Sequence, residues 1–369
     1  MNPSLTNILE EDNDTLKFTL SGINVSLANS IRRTILSDIP VVSIYTQTYK
    51  DNECNIEINN TRLHNEILKQ RLSCIPIHSK NLEVLPGNYV LEVDKENNSD
   101  SVVYVTTEDF KIKNKNNDNY LTEAETRKIF PPNSKTNMFI DFARLRAKVS
   151  DTIPGERIKL TSEFSVHSAK EDSMYNVVSR CSYGNTIDMK KVNKLWDETE
   201  KKLKNEGMTE KEVSFQKRNF YLLDAQKSYL ENSYDYVIQT IGIYDNRELL
   251  LKACEILKSK FELLVTNIES GILTITPSLV TMENSFDIIL DDEDYTIGKV
   301  LEYVLYDKYY VNEKSVVFCG FKKFHPHDDN SKIRLAFKEK VDKQMIGEYL
   351  RKACVDIIEV YNKIYNLIN

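Results

Sequence analysis

The stretch "LKFTLSGINVSLANSIRRTIL", Leu16–Leu36, reads as a short alternating strand, a polar loop and an amphipathic helix opening at Ser26. A second stretch, "FDIILDDEDYTIGKVLEYVL", Phe286–Leu305, reads the same way, with its helix opening at Thr296. The two lie in register at a constant offset of 270: Leu16 matches Phe286, Phe18 matches Ile288, Leu20 matches Leu290, Ile31 matches Leu301 and Ile35 matches Leu305. Ser26 and Thr296 are residue types that cap a helix by accepting from its first free N–H groups. A further pair of helices repeats at an offset of 100. Ala253, Leu257, Phe261, Leu264 and Ile268 step by 4, 4, 3 and 4, and Ala353, Ile357, Tyr361, Ile364 and Ile368 step identically. That spacing draws one apolar seam along each helix, suited to helix-on-helix packing. An alternating strand precedes each, "YDYVIQTIGI" and "SKIRLAFKEK".

One strand–helix unit is therefore written twice. Ser26 lies 227 residues before Ala253, whereas Thr296 lies 57 before Ala353, so the first copy carries about 170 extra residues. The expected fold is α+β, an intramolecular pseudo-dimer of two dimerisation units. The first unit occupies 1–50 and 232–272 and is interrupted by a mostly β inserted domain, 51–231, with extra helices; 273–285 is a linker and 286–369 the second unit. Within the insert, "NYVLEVDK" and "SVVYVTT" read as strands, "KIKNKNNDN" as a polar loop, and Thr209 with Glu212 has capping-box spacing. The expected seam comprises Leu27, Ile31, Ile35, Ala253, Leu257, Phe261, Leu264 and Ile268 from the first copy. The second copy supplies Ile297, Leu301, Leu305, Ala353, Ile357, Tyr361, Ile364 and Ile368.

Composition narrows the function. Forty-nine basic against 56 acidic residues give −7 over 369 residues, the wrong sign for a chain that coats DNA unaided. No basic-then-apolar leader opens the chain and no window approaches a membrane span, so an intracellular location is expected. The six cysteines include no C-x-x-C pair, and those at 74, 254, 319 and 354 stand among apolar neighbours, which reads as reduced thiols packed as small hydrophobes.

On a helical wheel Leu27, Ala28, Ile31 and Ile35 form the core side, while Asn29, Arg32, Arg33 and Leu36 share the opposite one. Two guanidinium forks beside an exposed leucine fit a partner surface as well as a solvated face. In "TRLHNEILKQRLSCIPI", His64 and Arg71 project from an apolar arc of Leu63, Ile67, Leu68 and Leu72. Arg71 there needs an internal carboxylate or carbonyl, or another chain.

"LANSIRRTILSDIPVVSI" followed by "TRLHNEILKQRLSCIPI" closely resembles the assembly subunit of multisubunit RNA polymerases, the alpha subunit of bacteria and its archaeal and eukaryotic counterparts. "DDEDYTIGKVLEYVL…VVFCGFKKFHPH" resembles the small partner of the eukaryotic counterpart, and "GERIKLTSEFSVHSAKEDSMYNVVSRCSY" is similar, more loosely, to the family's inserted domain. Both subunits in one polypeptide resemble the fused form of large nucleocytoplasmic DNA viruses, which implies host cytoplasm and virion as locations, or the nucleus for a cellular protein. The resemblance implies a non-catalytic scaffold whose halves pair and dock the second-largest, catalytic polymerase subunit, with the largest subunit and small accessory subunits nearby. It carries the docking surface to Asn29, Arg32, Arg33 and Leu36, and to Leu63, Glu66, Arg71, Leu72 and Pro76. The family's cysteine-rich metal loop has no counterpart here, so no zinc, iron–sulfur centre or other cofactor is expected. Tyr295 stands where the small partner usually has His. The bacterial DNA-binding extension is missing, so neither sequence-specific DNA reading nor a membrane is expected.

Two rival readings stand beside it. One is a homodimeric structural adaptor unrelated to transcription. The other is a metal-dependent phosphoesterase built on Asp291, Asp292, Glu293 and Asp294, although acids at a helix N-terminus are favoured by the helix dipole alone. His325 and His327 form an H-x-H with no third ligand apparent, and neither a nucleophile elbow nor a phosphate-binding glycine loop occurs.

Overall fold

A computed structural model describes residues 1–11, 14–150, 152–279 and 281–369. In chain order the elements begin with β1 (Ser4–Glu11), β2 (Thr15–Ser21), α1 (Val25–Ser37), β3 (Pro40–Ser43), β4 (Cys54–Asn59) and α2 (Asn65–Ser73). Next come β5 (Tyr89–Glu96), β6 (Val103–Thr106), β7 (Lys111–Asn114), α3 (Glu123–Ile129), β8 (Asp141–Leu145), β9 (Arg157–Glu163) and β10 (Ser165–Ser168). They are followed by β11 (Val178–Ile187), α4 (Met189–Asn205), α5 (Glu210–Leu222), β12 (Tyr229–Thr240) and α6 (Asn246–Glu269). The last are β13 (Ile275–Pro277), β14 (Ser285–Leu290), α7 (Tyr295–Leu305), β15 (Val316–Lys322), β16 (Ser331–Phe337) and α8 (Lys343–Ile368). Two compact units result: Met1–Ile35 with Arg180–Gln239 and Asn246–Asn369, and Leu36–Ser179 with Thr240–Asp245.

The first unit contains the repeat. Its two four-stranded sheets have equivalent orders, β1-β2-β12-β11 and β13-β14-β16-β15. Leu16, Phe18 and Leu20 on β2 face Ile238, Tyr236 and Tyr234 on β12, and Phe286 and Ile288 on β14 face Leu335 and Ile333 on β16, all antiparallel. Alternation puts these apolar chains on one face of each sheet, where a helix covers them. The offset of 270 carries Thr15 to Ser285 and Val25 to Tyr295, the first residues of β2, β14, α1 and α7. The caps fall two residues earlier than expected. Asn24 Oδ1 accepts from Ser26 N at 2.9 Å, and Asp294 Oδ1 from Thr296 N at 2.7 Å. A short Asx side chain reaches the N–H two residues on, which leaves Ser26 and Thr296 inside the first turn.

Helices α6 and α8 pack antiparallel: Glu255 and Tyr365 line one cleft, while a Cβ on Gly347 would meet Ile268 at 3.3 Å. Ala253, Leu257, Phe261, Ala353, Ile357, Tyr361, Ile364 and Ile368 are buried, as are Leu27, Ile31, Ile35, Ile297, Leu301 and Leu305. Leu264 and Ile268 are only half-buried, toward the end of α6. Phe261 and Tyr361 stack with centroids 6.2 Å apart. Fully burying such a side chain contributes roughly 1.5–3 kcal/mol as an upper bound.

The extra length of the first copy enters at two places. Between α1 and β11 the chain builds the second compact unit, where the second copy has a single π-helical segment, Tyr306–Asn312, between α7 and β15. Between β11 and β12 it builds the α4–α5 pair, where the second copy has only residues 323–330. That pair groups with the first unit, not with the second.

The second unit is mostly β. A four-stranded sheet, β4-β9-β5-β7, joins two-stranded ribbons β10-β3 and β6-β8. Leu91 and Val93 from β5, Ile158 and Leu160 from β9, and Leu68 and Leu72 from α2 share its core. Phe110 meets Phe130 and Phe142 edge-on, with centroids 5.3 and 5.6 Å away. The stretch 111–119, expected to be loop throughout, opens as β7, because Ile112 supplies an apolar residue to this core. None of the six cysteines is in a disulfide, but Cys74 is exposed, contrary to its apolar surroundings in sequence. It sits at the C-cap of α2, one residue past the last helical turn.

Candidate subunit-pairing and docking site

Helix α1 places Arg33 one turn before its end, on the side away from Leu27 and Ile31. Its fork points back into the chain. Arg33 Nη2 pairs with the Asp294 carboxylate, and Arg33 Nε donates to Thr296 Oγ1 at 2.8 Å. One guanidinium thus grips the capping residue and the first turn of α7, tying the first copy to the helix N-terminus of the second. Arg33, expected to face another protein, thus also has partners within its own chain. Burial acts to raise the Asp294 pKa, but the hydrogen bonds from Thr296 and the Arg33 cation outweigh it and hold the carboxyl below its ordinary value. Both side chains remain about a third exposed, 36% and 37%, so solvent screens the pair.

Arg32 lies on the neighbouring side of α1, half-buried, with Nε donating to Asn29 Oδ1 at 2.9 Å. Its cation is close enough to β11 to lower Cys181 and Tyr183, although burial dominates both and the thiol is pushed up to about 12. A second polar tie joins the copies deeper in the core. Ser30 Oγ and the Tyr361 hydroxyl are 2.7 Å apart, and beside them, within the first copy, Tyr236 donates to the Ala28 carbonyl at 2.6 Å. Buried hydroxyls satisfied in this way specify one arrangement of the apolar elements around them.

The rest of the expected docking set belongs to the second unit. Leu36 and Pro76 are half-buried, and Glu66 is exposed. Arg71 Nε donates to the Phe142 carbonyl at 2.7 Å and Nη2 to the Asp141 carbonyl at 2.8 Å. It therefore takes the internal alternative, bracing α2 against β8. Leu72 is 1% exposed and belongs to the core, so it presents no atoms to a partner, and Leu63 packs partly against the same core. Residues of the 46–52 loop were not legible as site residues. Together with Glu66, Lys69, Gln70 and Cys74 they line an open groove of about 770 Å³, from which Tyr49 stands 98% exposed.

The acidic loop is occupied by structure. Asp294 caps α7 and pairs with Arg33, Glu293 lies 3.8 Å from Lys260, and Asp292 takes a left-handed backbone with φ of 56°. Among the described residues no group of three or more His, Cys, Asp or Glu converges as a metal site. His325 and His327 form a turn in which His325 Nδ1 accepts from the His327 N–H at 3.1 Å. Asp294 and Thr296 are the partners of Arg33 that the sequence did not pair with it. Asp294 stands 270 residues from Asn24, so the repeat register was the signal that could have found it.

The sequence profile of the RNA polymerase Rpb3/Rpb11 dimerisation domain matches residues 17–261, and a second profile of the same description matches residues 285–366. Similar proteins include DNA-directed RNA polymerase subunit Rpo3 of Pyrococcus furiosus, 40% identical over 70 residues, which are 19% of this chain and 24% of that one. DNA-directed RNA polymerase II subunit rpb3 of Dictyostelium discoideum is 34% identical over 76 residues, 21% of this chain and 23% of that one. DNA-directed RNA polymerases I and III subunit RPAC1 of Mus musculus is 35% identical over 71 residues, 19% and 18% of the two chains. The matched stretch spans about a quarter or less of the length of these curated relatives. With profile matches over both repeats, the chain belongs to the RNA polymerase Rpb3/Rpb11 dimerisation-domain family and carries that domain twice.

Proposed function

We propose that this protein is a non-catalytic assembly scaffold of a DNA-directed RNA polymerase, in which two alpha-like halves of one polypeptide pair with each other and dock the second-largest, catalytic subunit. The observation that carries the reading is the pairing itself: two family-matched sheet-and-helix units joined through α6, α8 and the Arg33–Asp294 tie. The second compact unit corresponds in this reading to the inserted domain of the larger family subunit, and the single chain to the fused form known from large DNA viruses. Residues 270–284 connect the halves at an effective concentration on the order of mM, so pairing does not depend on protein concentration.

Docking is assigned to Asn29 and Arg32 in the first unit, and to Leu36, Leu63, Glu66 and Pro76 in the second, where Glu66 also lines the Tyr49 groove. Arg33 and Arg71 hold α7 and β8 through their internal bonds. The largest subunit and small accessory subunits complete the complex. A tagged chain purified from its native source carries two very large polypeptides in constant proportion. Arg32→Ala weakens that association while the protein stays folded and monomeric; recovery of the chain alone overturns the proposal.

A further inference from the structure

The α4–α5 pair has no counterpart in the second copy, and one face of α5 is built the wrong way round for solvent. Toward α4, Val213 is buried, Phe220 lies 5.5 Å from the Trp196 ring, and Lys217 Nζ sits 5.8 Å from the same ring. At ~100° per residue the opposite side carries Lys211, Phe215, Arg218 and Leu222, spaced i, i+4, i+7 and i+11. All four are exposed, Phe215 at 62% and Leu222 at 61%, and Leu223 extends the apolar strip at 67%. The acids of α5, Glu210 and Glu212, fall ~100° to either side, and Glu212 is consumed in the capping box with Thr209. A solvated helix face is polar and mixed in charge. This one interleaves apolar side chains with two cations, in a chain whose net charge is −7.

We propose that the outward face of α5 docks a protein surface with an apolar centre flanked by carboxylates. Arginine beside an aromatic side chain is the combination enriched at the centres of protein interfaces. The two cations select an acidic partner and reject a basic one by like-charge juxtaposition. Nucleic acid fits less well, since two cations on an acidic chain bind phosphates weakly and phosphates give Phe215, Leu222 and Leu223 nothing apolar to cover.

The test uses the native polymerase complex, and to that extent rests on the role proposed above. A full-length chain with p-benzoylphenylalanine in place of Phe215 is assembled into the complex and irradiated. The expected cross-linked peptide belongs to another polypeptide and carries Asp or Glu within a few residues of the linked site. Arg218→Glu then weakens that contact by about ten- to a hundredfold, and changing the partner's cross-linked acid to Lys restores it. The emission of Trp196, the only tryptophan, stays unchanged in Arg218→Glu and shows that the helix pair is intact. Cross-links confined to a second copy, nucleic acid or lipid overturn the proposal, as does a partner site without carboxylates or an Arg218→Glu effect under twofold. A complex that assembles normally yet gives no cross-link at 215 overturns only this inference. A chain recovered without any polymerase subunit overturns both.

Discussion

Replacing Asp294 by Asn separates two jobs done by one carboxylate. Asn also caps helices, so the bond to the Thr296 N–H survives while the charge that meets Arg33 is lost. Full burial would make that loss large, but side chains 36% and 37% exposed place the pair with screened ion pairs, worth about 0.2–1 kcal/mol. The geometry is better than an isolated pair, because Arg33 also donates to Thr296 Oγ1. A coupling near the top of that range is therefore expected, about 1 kcal/mol, in a cycle of Arg33→Met, Asp294→Asn and the double variant. Chemical denaturation followed by circular dichroism measures it. Thermal midpoints should fall by roughly 2–4 °C for each kcal/mol in a unit of this size.

The sign with pH follows from the lowered Asp294 pKa. The pair stabilises above the ordinary carboxylate value, and that contribution is lost as pH falls through the lower folded value. The coupling should therefore vanish in acid. A coupling indistinguishable from zero at neutral pH, or one that persists in acid, would refute the claim that this ion pair ties the copies together.

Leu257→Ala, at a fully buried seam position, should cost about 3–5 kcal/mol by denaturant titration; a loss under 1 kcal/mol would mean that α6 does not carry the pairing. Gly298→Val adds a side chain where a Cβ alone would sit 2.0 Å from the Phe321 ring, so about 1–3 kcal/mol should be lost by the same assay. Asp287 is 5% exposed between Arg334 and Lys332, and the Arg334 hydrogen bonds, ahead of the Lys332 cation, bring its pKa down to about 2. Its stabilisation is complete above about pH 4 and disappears as pH falls toward 2, and Asp287→Asn should flatten that part of the stability–pH curve. Phe220→Ala removes a ring from Trp196 without touching the seam, so tryptophan emission should shift at lower denaturant than the far-ultraviolet signal.

Sequence alone determined the features that depend on near neighbours along the chain. Strand alternation in Leu16–Leu20, the helical period through Ile31 and Ile35, and the identical 4, 4, 3, 4 steps of two long helices are local patterns. Their constant offsets disclosed two copies of one unit. Even the caps shifted only from Ser26 and Thr296 to Asn24 and Asp294, within a single turn. Where a polar or apolar side chain finds its partner is another matter, because it depends on segments brought together across hundreds of residues. Arg33 looked like an outward fork until packing placed an acid 261 positions away against it. Leu72 and Arg71 looked like interface residues, but the core around Leu91 took the first and the carbonyls of β8 the second. The extra length of the first copy could be counted in sequence. Only strand pairing in space decided that it enters on both sides of β11, since hydrogen-bond register is a property of two strands and not of one.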